Sequence, residues 1–564
     1  MSQNVTTSLL PAWAEKLRSH YLSGAAIQFL LHNNVRDLVP FKGEYVPLRT
    51  FLYEALLGPS KDVVAFYDLS EGFGFPAPAM RERFMTSLSV RASILGLAPP
   101  TELPREPRRA LPVIEGFLSI PGQRAGIVVD YVEALIPDGE GAMLGSDDRT
   151  HLITLERWAN DPLLLKSNNI VLLIAENVTE VNKHIVRSPQ VELIEVPLPD
   201  QSTRLDFVRT VGDQLGVRRE LSDAAIARLS SGLRLIQIEA ILRQAARSDR
   251  PVDEGMLSAK RKEILEAECF GLVELLEPAH GLDAVGGLET VKGDLQRIAG
   301  AIREGVTRRV PMGIFFVGPM GTGKTYMAEA FARDSGLTCL ALKNFRDKWV
   351  GSTEGNLEKI LNIVKALGSV MILIDEVDRA LSGEDGDSGV SSRVFARIKA
   401  FMSDTTHRGK ILWLVMSNRP DKLDIDLKRP GRFDRKIPFF YPQSEAERAA
   451  IFAAQIQKHA LACESFAWDE ACRRTEGYSA AEIEALVLLA DEIAASNGRA
   501  VTEDDVFEAI LDFVPNRNRA MTEFMELLAV FECSNRRLLP LRYRDISDDV
   551  LAARLVELRE RLGV

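Results

Sequence analysis

The stretch Gly313-Ile314-Phe315-Phe316-Val317-Gly318-Pro319-Met320-Gly321-Thr322-Gly323-Lys324-Thr325-Tyr326 decides the fold. Five residues that read as a buried strand run into an octapeptide of the form GxxxxGKT. The residues from Tyr326 onward (Met327-Ala328-Glu329) read as the start of a helix. Glycines in the octapeptide let main-chain N–H groups converge on phosphate oxygens, Lys324 brings an ammonium to the β- and γ-phosphates, and the Thr325 hydroxyl suits Mg²⁺. Strand, phosphate loop and helix in that order predict a parallel α/β core flanked by helices that binds ATP with Mg²⁺, contacting it through Gly318, Pro319, Met320, Gly321, Thr322, Gly323, Lys324, Thr325 and Tyr326.

About fifty residues further on, Val370-Met371-Ile372-Leu373-Ile374 is an apolar run ending in Asp375-Glu376. A buried parallel strand places both carboxylates at its C-terminal edge, beside the phosphate loop. There Asp375 joins Thr325 in the Mg²⁺ shell, and Glu376 polarises a water for in-line attack on the γ-phosphorus. A second apolar strand, Ile411 to Met416, ends in Ser417-Asn418, whose amide can orient that water or the γ-phosphate. Beyond it stands Lys428-Arg429-Pro430-Gly431-Arg432-Phe433-Asp434-Arg435. Planar guanidinium groups match phosphate charge, and an arginine supplied by a neighbouring subunit raises turnover by orders of magnitude. Without the phosphate loop the same run would read as a solvated basic turn.

These motifs together resemble the AAA clade of the AAA+ superfamily of ring ATPases, over residues 281–515. The resemblance rests on the P-loop, on Ile374-Asp375-Glu376-Val377-Asp378-Arg379, on Ser417-Asn418-Arg419-Pro420 and on Arg429-Pro430-Gly431-Arg432-Phe433-Asp434-Arg435. It implies that Asn418 is the sensor-1 residue, that Arg429 and Arg432 are arginine fingers acting across a subunit boundary, and that the chain forms a homo-oligomer, usually a hexamer. It also implies that Val285 and Gly286, in Gly281-Leu282-Asp283-Ala284-Val285-Gly286-Gly287-Leu288, pack against adenine. Gly477-Tyr478-Ser479-Ala480 is similar to the start of the lid helix, with Ala480 in place of the usual glycine; Met320 replaces the usual second proline of the loop. In threading members an aromatic-apolar-glycine tripeptide lines the central pore, and Trp349-Val350-Gly351 occupies that place. Charged residues before it and polar residues after it suit an exposed loop tip.

The chain has 564 residues, enough for two to four domains at roughly 100–200 residues each. A formal charge of -11 and a pI near 5.4 disfavour nucleic acid as the main partner and favour a protein substrate or adaptor. Cys269, Cys339, Cys463, Cys472 and Cys533 are scattered without CxxC spacing, as in a reduced cytoplasmic protein. No leader and no long apolar run occurs, so no membrane insertion is expected. The absence of His-Glu-x-x-His removes the zinc protease fused to some relatives.

The first 265 residues contain no GxxxxGK, yet they read as a degenerate copy of the same module. Ile127-Val128-Val129-Asp130-Tyr131 aligns with Ile372-Leu373-Ile374-Asp375-Glu376, which sets Tyr131 at the glutamate position. Val171 to Asn177 matches the strand ending at Asn418, Arg187 matches Arg429, and Gly232 to Leu242 parallels Gly477 to Val487. The expected organisation is a degenerate AAA-like module over 1–260, a linker over 261–280, an ATPase α/β subdomain over 281–441, a helical lid over 442–515 and a helical tail over 516–564. The expected activity is Mg-dependent ATP hydrolysis coupled to remodelling, unfolding or disassembly of a protein substrate. A nucleotide-gated scaffold or assembly factor that does not thread is the alternative.

Overall fold

The computed structural model describes residues 10–139, 144–342, 354–377, 389–465 and 468–564. The chain divides into two compact units, residues 1–265 with 353–366, and residues 266–352 with 367–564.

The first unit is built on strands β1 (Gln28–Asn33), β4 (Val63–Asp68), β5 (Gly72–Gly74), β6 (Ala125–Val129), β7 (Ile170–Ile174) and β8 (Val191–Val196), with a separate hairpin of β2 (Leu38–Phe41) and β3 (Glu44–Pro47). Its central strands are apolar at nearly every position because both sheet faces are covered. Phe29, Leu31, Val64, Phe66, Val128 and Leu172 enter one core, while Leu30, Val63, Ala65, Ile127, Val129 and Val171 enter the other. Four helices follow β8: α1 (Gln201–Gln214), α2 (Asp223–Leu229), α3 (Leu235–Ser248) and α4 (Glu254–Glu268).

The second unit carries β9 (Val273–Leu276), β10 (Gly313–Val317), β11 (Thr338–Leu342), β12 (Val370–Ile374), β13 (Ile411–Ser417) and β14 (Arg435–Pro438). Helix α5 (Lys324–Ser335) leaves the phosphate loop, and four lid helices follow β14: α6 (Glu445–Lys458), α7 (Asp469–Arg474), α8 (Ala480–Ser496) and α9 (Glu503–Asp512). The tail adds α10 (Arg519–Glu532) and α11 (Asp548–Leu562). Helix α11 turns Leu551 and Leu558 inward and packs against α10.

The two sheets share one topology. The first runs β8-β1-β7-β6-β4-β5 and the second β14-β10-β13-β12-β11-β9, five parallel strands with one antiparallel strand at the same edge. The edge strand is recruited differently: β5 follows β4 in a hairpin, whereas β9 precedes β10. The region 261–280, expected as a linker, is therefore structured. It completes α4 and donates β9 to the second sheet, because Val273 and Leu275 are buried against β11.

The lids correspond as closely. Arg204 on α1 donates Nε to the Ala227 carbonyl at 2.8 Å, and Arg448 on α6 does the same to Cys472 at 2.6 Å. One parallel bridge joins the interhelical loops in each lid, Arg219 with Val252 and Cys463 with Val501. Gly232 and Gly477, before the third lid helix, have φ of 86° and 81°. Sheet register shifts one expected match. β6 pairs Val129 with Leu173, and β12 pairs Ile374 with Val415, so Glu176 rather than Asn177 stands at the position of Asn418. Glu176 lies eleven residues before Arg187, the same spacing as Asn418 to Arg429. Sequence matching favoured Asn177 because the residue type agreed, and side-chain identity carries no register.

Candidate nucleotide-binding site

The site forms at the C-terminal ends of β10, β12 and β13, where the chain leaves each strand for a loop. Gly318 must be glycine: a Cβ there would lie 2.1 Å from the Phe439 carbonyl oxygen. Gly323, at φ 82°, turns the loop into α5 so that the helix N-terminus faces the cleft. The Lys324 ammonium is buried and donates to the carbonyls of Gly318 (3.0 Å) and Pro319 (2.7 Å). Thr325 Oγ1 donates to Asp375 Oδ2 at 2.9 Å, which pairs the hydroxyl and carboxylate expected to share a metal.

Glu376 has a left-handed backbone, φ 46°, and its N–H is accepted by Oδ1 of Asp375 at 2.7 Å. Such a conformation costs a glutamate roughly 1–3 kcal/mol and persists only where neighbouring structure imposes it. Tyr131 repeats it in the first unit, with φ 55° and its N–H accepted by Asp130 Oδ1 at 2.8 Å.

A cleft of about 460 Å³ is lined by Val285, Gly286, Met320 to Tyr326, Asp375, Glu376 and Asn418. The lid contributes Gln455, Lys458, Ala480, Ala481 and Glu484, so Ala480 and Ala481 reach the cleft despite the missing glycine. Gly318 and Pro319 form the base of the loop rather than the cleft wall. Arg429 and Arg432 lie away from this cleft. Arg429 is 70% exposed and pairs with Asp426 at 3.2 Å, and Arg432 donates Nε to Ser403 Oγ at 2.8 Å. Trp349, Val350 and Gly351 lie outside the described residues.

Sequence reasoning missed Gln455, Lys458 and Glu484. The first two share one face of α6 with Ile451 and Ala454, a helical spacing legible in advance, but nothing local says what that face meets. Lys458 and His459 hydrogen-bond Glu484 at 2.7 and 2.9 Å; burial opposes ionisation of this carboxyl, yet these bonds hold it below the usual carboxylate range. The His280 ring stacks on Tyr326 at 3.7 Å, and burial pushes the Tyr326 phenol up.

The residues present fit a magnesium nucleotide. Thr325 and Asp375 are the hydroxyl-plus-carboxylate set with which a phosphate loop and a nearby strand end hold Mg²⁺ alongside substrate phosphates. Asn418 Oδ1 and Gln455 Oε1 are buried without hydrogen-bond partners among the described residues, one at the phosphate end of the cleft and one on the lid.

The corresponding place in the first unit is closed by its own side chains. The β2–β3 hairpin stands where the phosphate loop would be. Arg36 grips Asp130 through 2.9 and 2.8 Å contacts and covers the Tyr131 ring at 3.9 Å. Buried Asp37 accepts the N–H groups of Leu235 and Ile236 at 2.9 and 3.0 Å, so a carboxylate of the chain itself meets the N-terminus of α3. Glu176 pairs with Arg234 at 2.8 Å. The remaining cavity is about 200 Å³, less than half that of the cleft above.

Fold and site define a P-loop ATPase whose first α/β unit lacks the loop. Three family models match consecutive parts of the chain: "AAA+ chaperone, N-terminal Rossmann-like domain" over residues 5–197, "AAA+ chaperone, second helical domain" over 202–270, and "ATPase family associated with various cellular activities (AAA)" over 314–441. The chain thus carries a segment that matches the AAA ATPases behind segments that match the N-terminal and second helical domains of an AAA+ chaperone. It is similar to the ATPase family gene 2 protein of Schizosaccharomyces pombe, 29% identical over 65% of this chain and 48% of that protein. It also resembles a Cell division cycle protein 48 homolog of Archaeoglobus fulgidus, 25% identical over 64% of this chain and 53% of the other. An uncharacterized AAA domain-containing protein, ycf46, of Trieres chinensis is 28% identical over 52% of this chain and 60% of that one. The chain spans about half the length of the curated relatives it matches. No helix among the described residues is long and apolar enough to cross a membrane.

Proposed function

We propose that the chain is a ring-forming, Mg-dependent ATPase, in the simplest case a homohexamer, that couples hydrolysis to remodelling, unfolding or disassembly of a protein substrate. The observation that carries the hydrolytic part is the convergence of Lys324, Thr325, Asp375, Glu376 and Asn418 on one cleft, from three adjacent strand ends. Mg²⁺, held by Thr325 and Asp375, would neutralise charge on the β- and γ-phosphates. Lys324 and the loop N–H groups bind and orient those phosphates. Glu376, fixed by its left-handed backbone, accepts a proton from the attacking water, and Asn418 positions that water. Val285, Gly286 and the α6 face enclose the base.

Arg429 and Arg432 lie outside the cleft of their own subunit, in keeping with service to a neighbour's site, so activity would depend on assembly. The remodelling part is favoured by the chaperone-type N-terminal and second helical domains and by Trp349-Val350-Gly351. With one cleft for one nucleotide, Glu376→Gln should bind ATP as wild type does while phosphate release falls by roughly 10²- to 10⁴-fold. Wild-type-like turnover would remove the role given to Glu376. Trp349→Ala should keep ATPase activity and lose remodelling of a captured protein; unchanged remodelling with intact ATPase activity would remove threading as the means.

A further inference from the structure

The loop that follows Asn418 and carries Arg429 and Arg432 is held by the C-terminal tail at three points. At its start, Arg419 makes a two-pronged contact with Asp421 at 3.0 and 2.9 Å. Arg559 of α11 reaches the same carboxylate at 3.4 Å, and the Arg419 guanidinium lies over the Phe524 ring of α10 at 5.2 Å. In the middle, the Lys428 ammonium, adjacent to Arg429, donates to Glu532 Oε1 at 2.5 Å and to the Pro420 carbonyl at 3.1 Å. At its end, Lys436 on β14 donates to Glu532 Oε2 at 2.9 Å, and its backbone exchanges hydrogen bonds with Ser534 at 3.0 and 3.2 Å.

Glu532 is the common element. Its side chain is 6% exposed, and its two lysine partners are 14% and 20% exposed. One carboxylate between two ammonium groups, shielded from water, adds little net stability but strongly disfavours any arrangement that separates them. Lys428 is thereby fixed both to the tail and to the turn at Pro420, so Arg429 begins from a defined backbone position.

We propose that Glu532 is a positioning residue for hydrolysis: through Lys428 and Lys436 it sets the loop that presents Arg429 and Arg432 to the neighbouring subunit. The inference rests on the arginine-finger reading given above. It assigns the tail a task in the reaction that packing alone would not require. A displacement of about 1 Å in a group stabilising transition-state charge lowers rate by up to about 10²-fold while ground-state binding is kept.

Subunit mixing with the full-length chain tests the proposal. Glu532→Gln should lower kcat roughly 10- to 100-fold with KM little changed, because its own cleft is intact. Glu376→Gln has a dead cleft and an intact loop, so mixing the two should restore turnover well above either variant alone. That rescue also demonstrates that Glu532→Gln subunits are folded. Lys428→Met, which cuts the same link from the other side, should behave alike and carries the test if Glu532→Gln is insoluble. Arg429→Ala with Arg432→Ala, mixed with Glu376→Gln, is the reference. If that reference pair shows no rescue, the finger reading falls and the proposal with it. If it is rescued while soluble Glu532→Gln keeps wild-type kcat, or loses activity that mixing does not restore, the finger reading stands and the role of Glu532 is overturned.

Discussion

Asp505 shows how one residue carries a pH dependence in this chain. Its carboxylate accepts hydrogen bonds from Arg499 and from the N–H and hydroxyl of Thr502, and the Arg499 guanidinium holds its pKa down at about 2. An unfolded aspartate titrates near about 3.9, so between those values the unfolded chain binds the proton more readily. The contribution is full above about pH 4 and is lost as pH falls toward 2. Asp505→Asn should cost about 1 kcal/mol at pH 7, from the weakened start of α9, and that deficit should shrink between pH 4 and pH 2. Urea unfolding followed by circular dichroism across that range measures it; a deficit independent of pH would sink the assignment. Among the site residues, Lys324, Thr325, Asp375 and Glu376 were legible in the sequence because the chemistry resides in their types and spacing. Glu532 was not, since its partners are 96 and 104 residues away.

At the scale of elements, the two third-lid helices meet their loops differently. In the second unit Ser479 and Glu482 cap the helix reciprocally at 3.2 and 2.7 Å, and Ala481 donates its N–H to the Gly321 carbonyl at 3.0 Å. In the first unit Asp37 caps α3, an arrangement worth roughly 1–2 kcal/mol, since an anion at a helix N-terminus satisfies free N–H groups and complements the dipole. Asp37→Ala should therefore accelerate hydrogen exchange at Leu235 and Ile236 by about tenfold or more. The wild-type amides should stay protected with or without ATP. Nucleotide-dependent protection at α3 would contradict a first unit closed by its own residues. The strands themselves were legible as apolar runs, whereas β2–β3 was not, because nothing in Asn34 to Pro47 says that it replaces a phosphate loop.

For the whole molecule, one loop-bearing unit and one closed unit predict one nucleotide per chain. Lys324→Ala should remove all measurable ATP binding in equilibrium titration; a remaining equivalent would place a second site in the first unit. By itself the sequence determined that the second unit is a P-loop ATPase, and it indicated a degenerate copy ahead of it, because phosphate chemistry demands particular residues at particular short spacings. Only the tertiary structure decided the shared strand order, the register that gives Glu176 the position Asn418 holds in the other sheet, the closure of the first site by Arg36 and Asp37, and the grip of the tail on the loop that carries Arg429 and Arg432. Those features arise from pairing between segments far apart in the chain. Burial and strand register, not local residue type, select such partners.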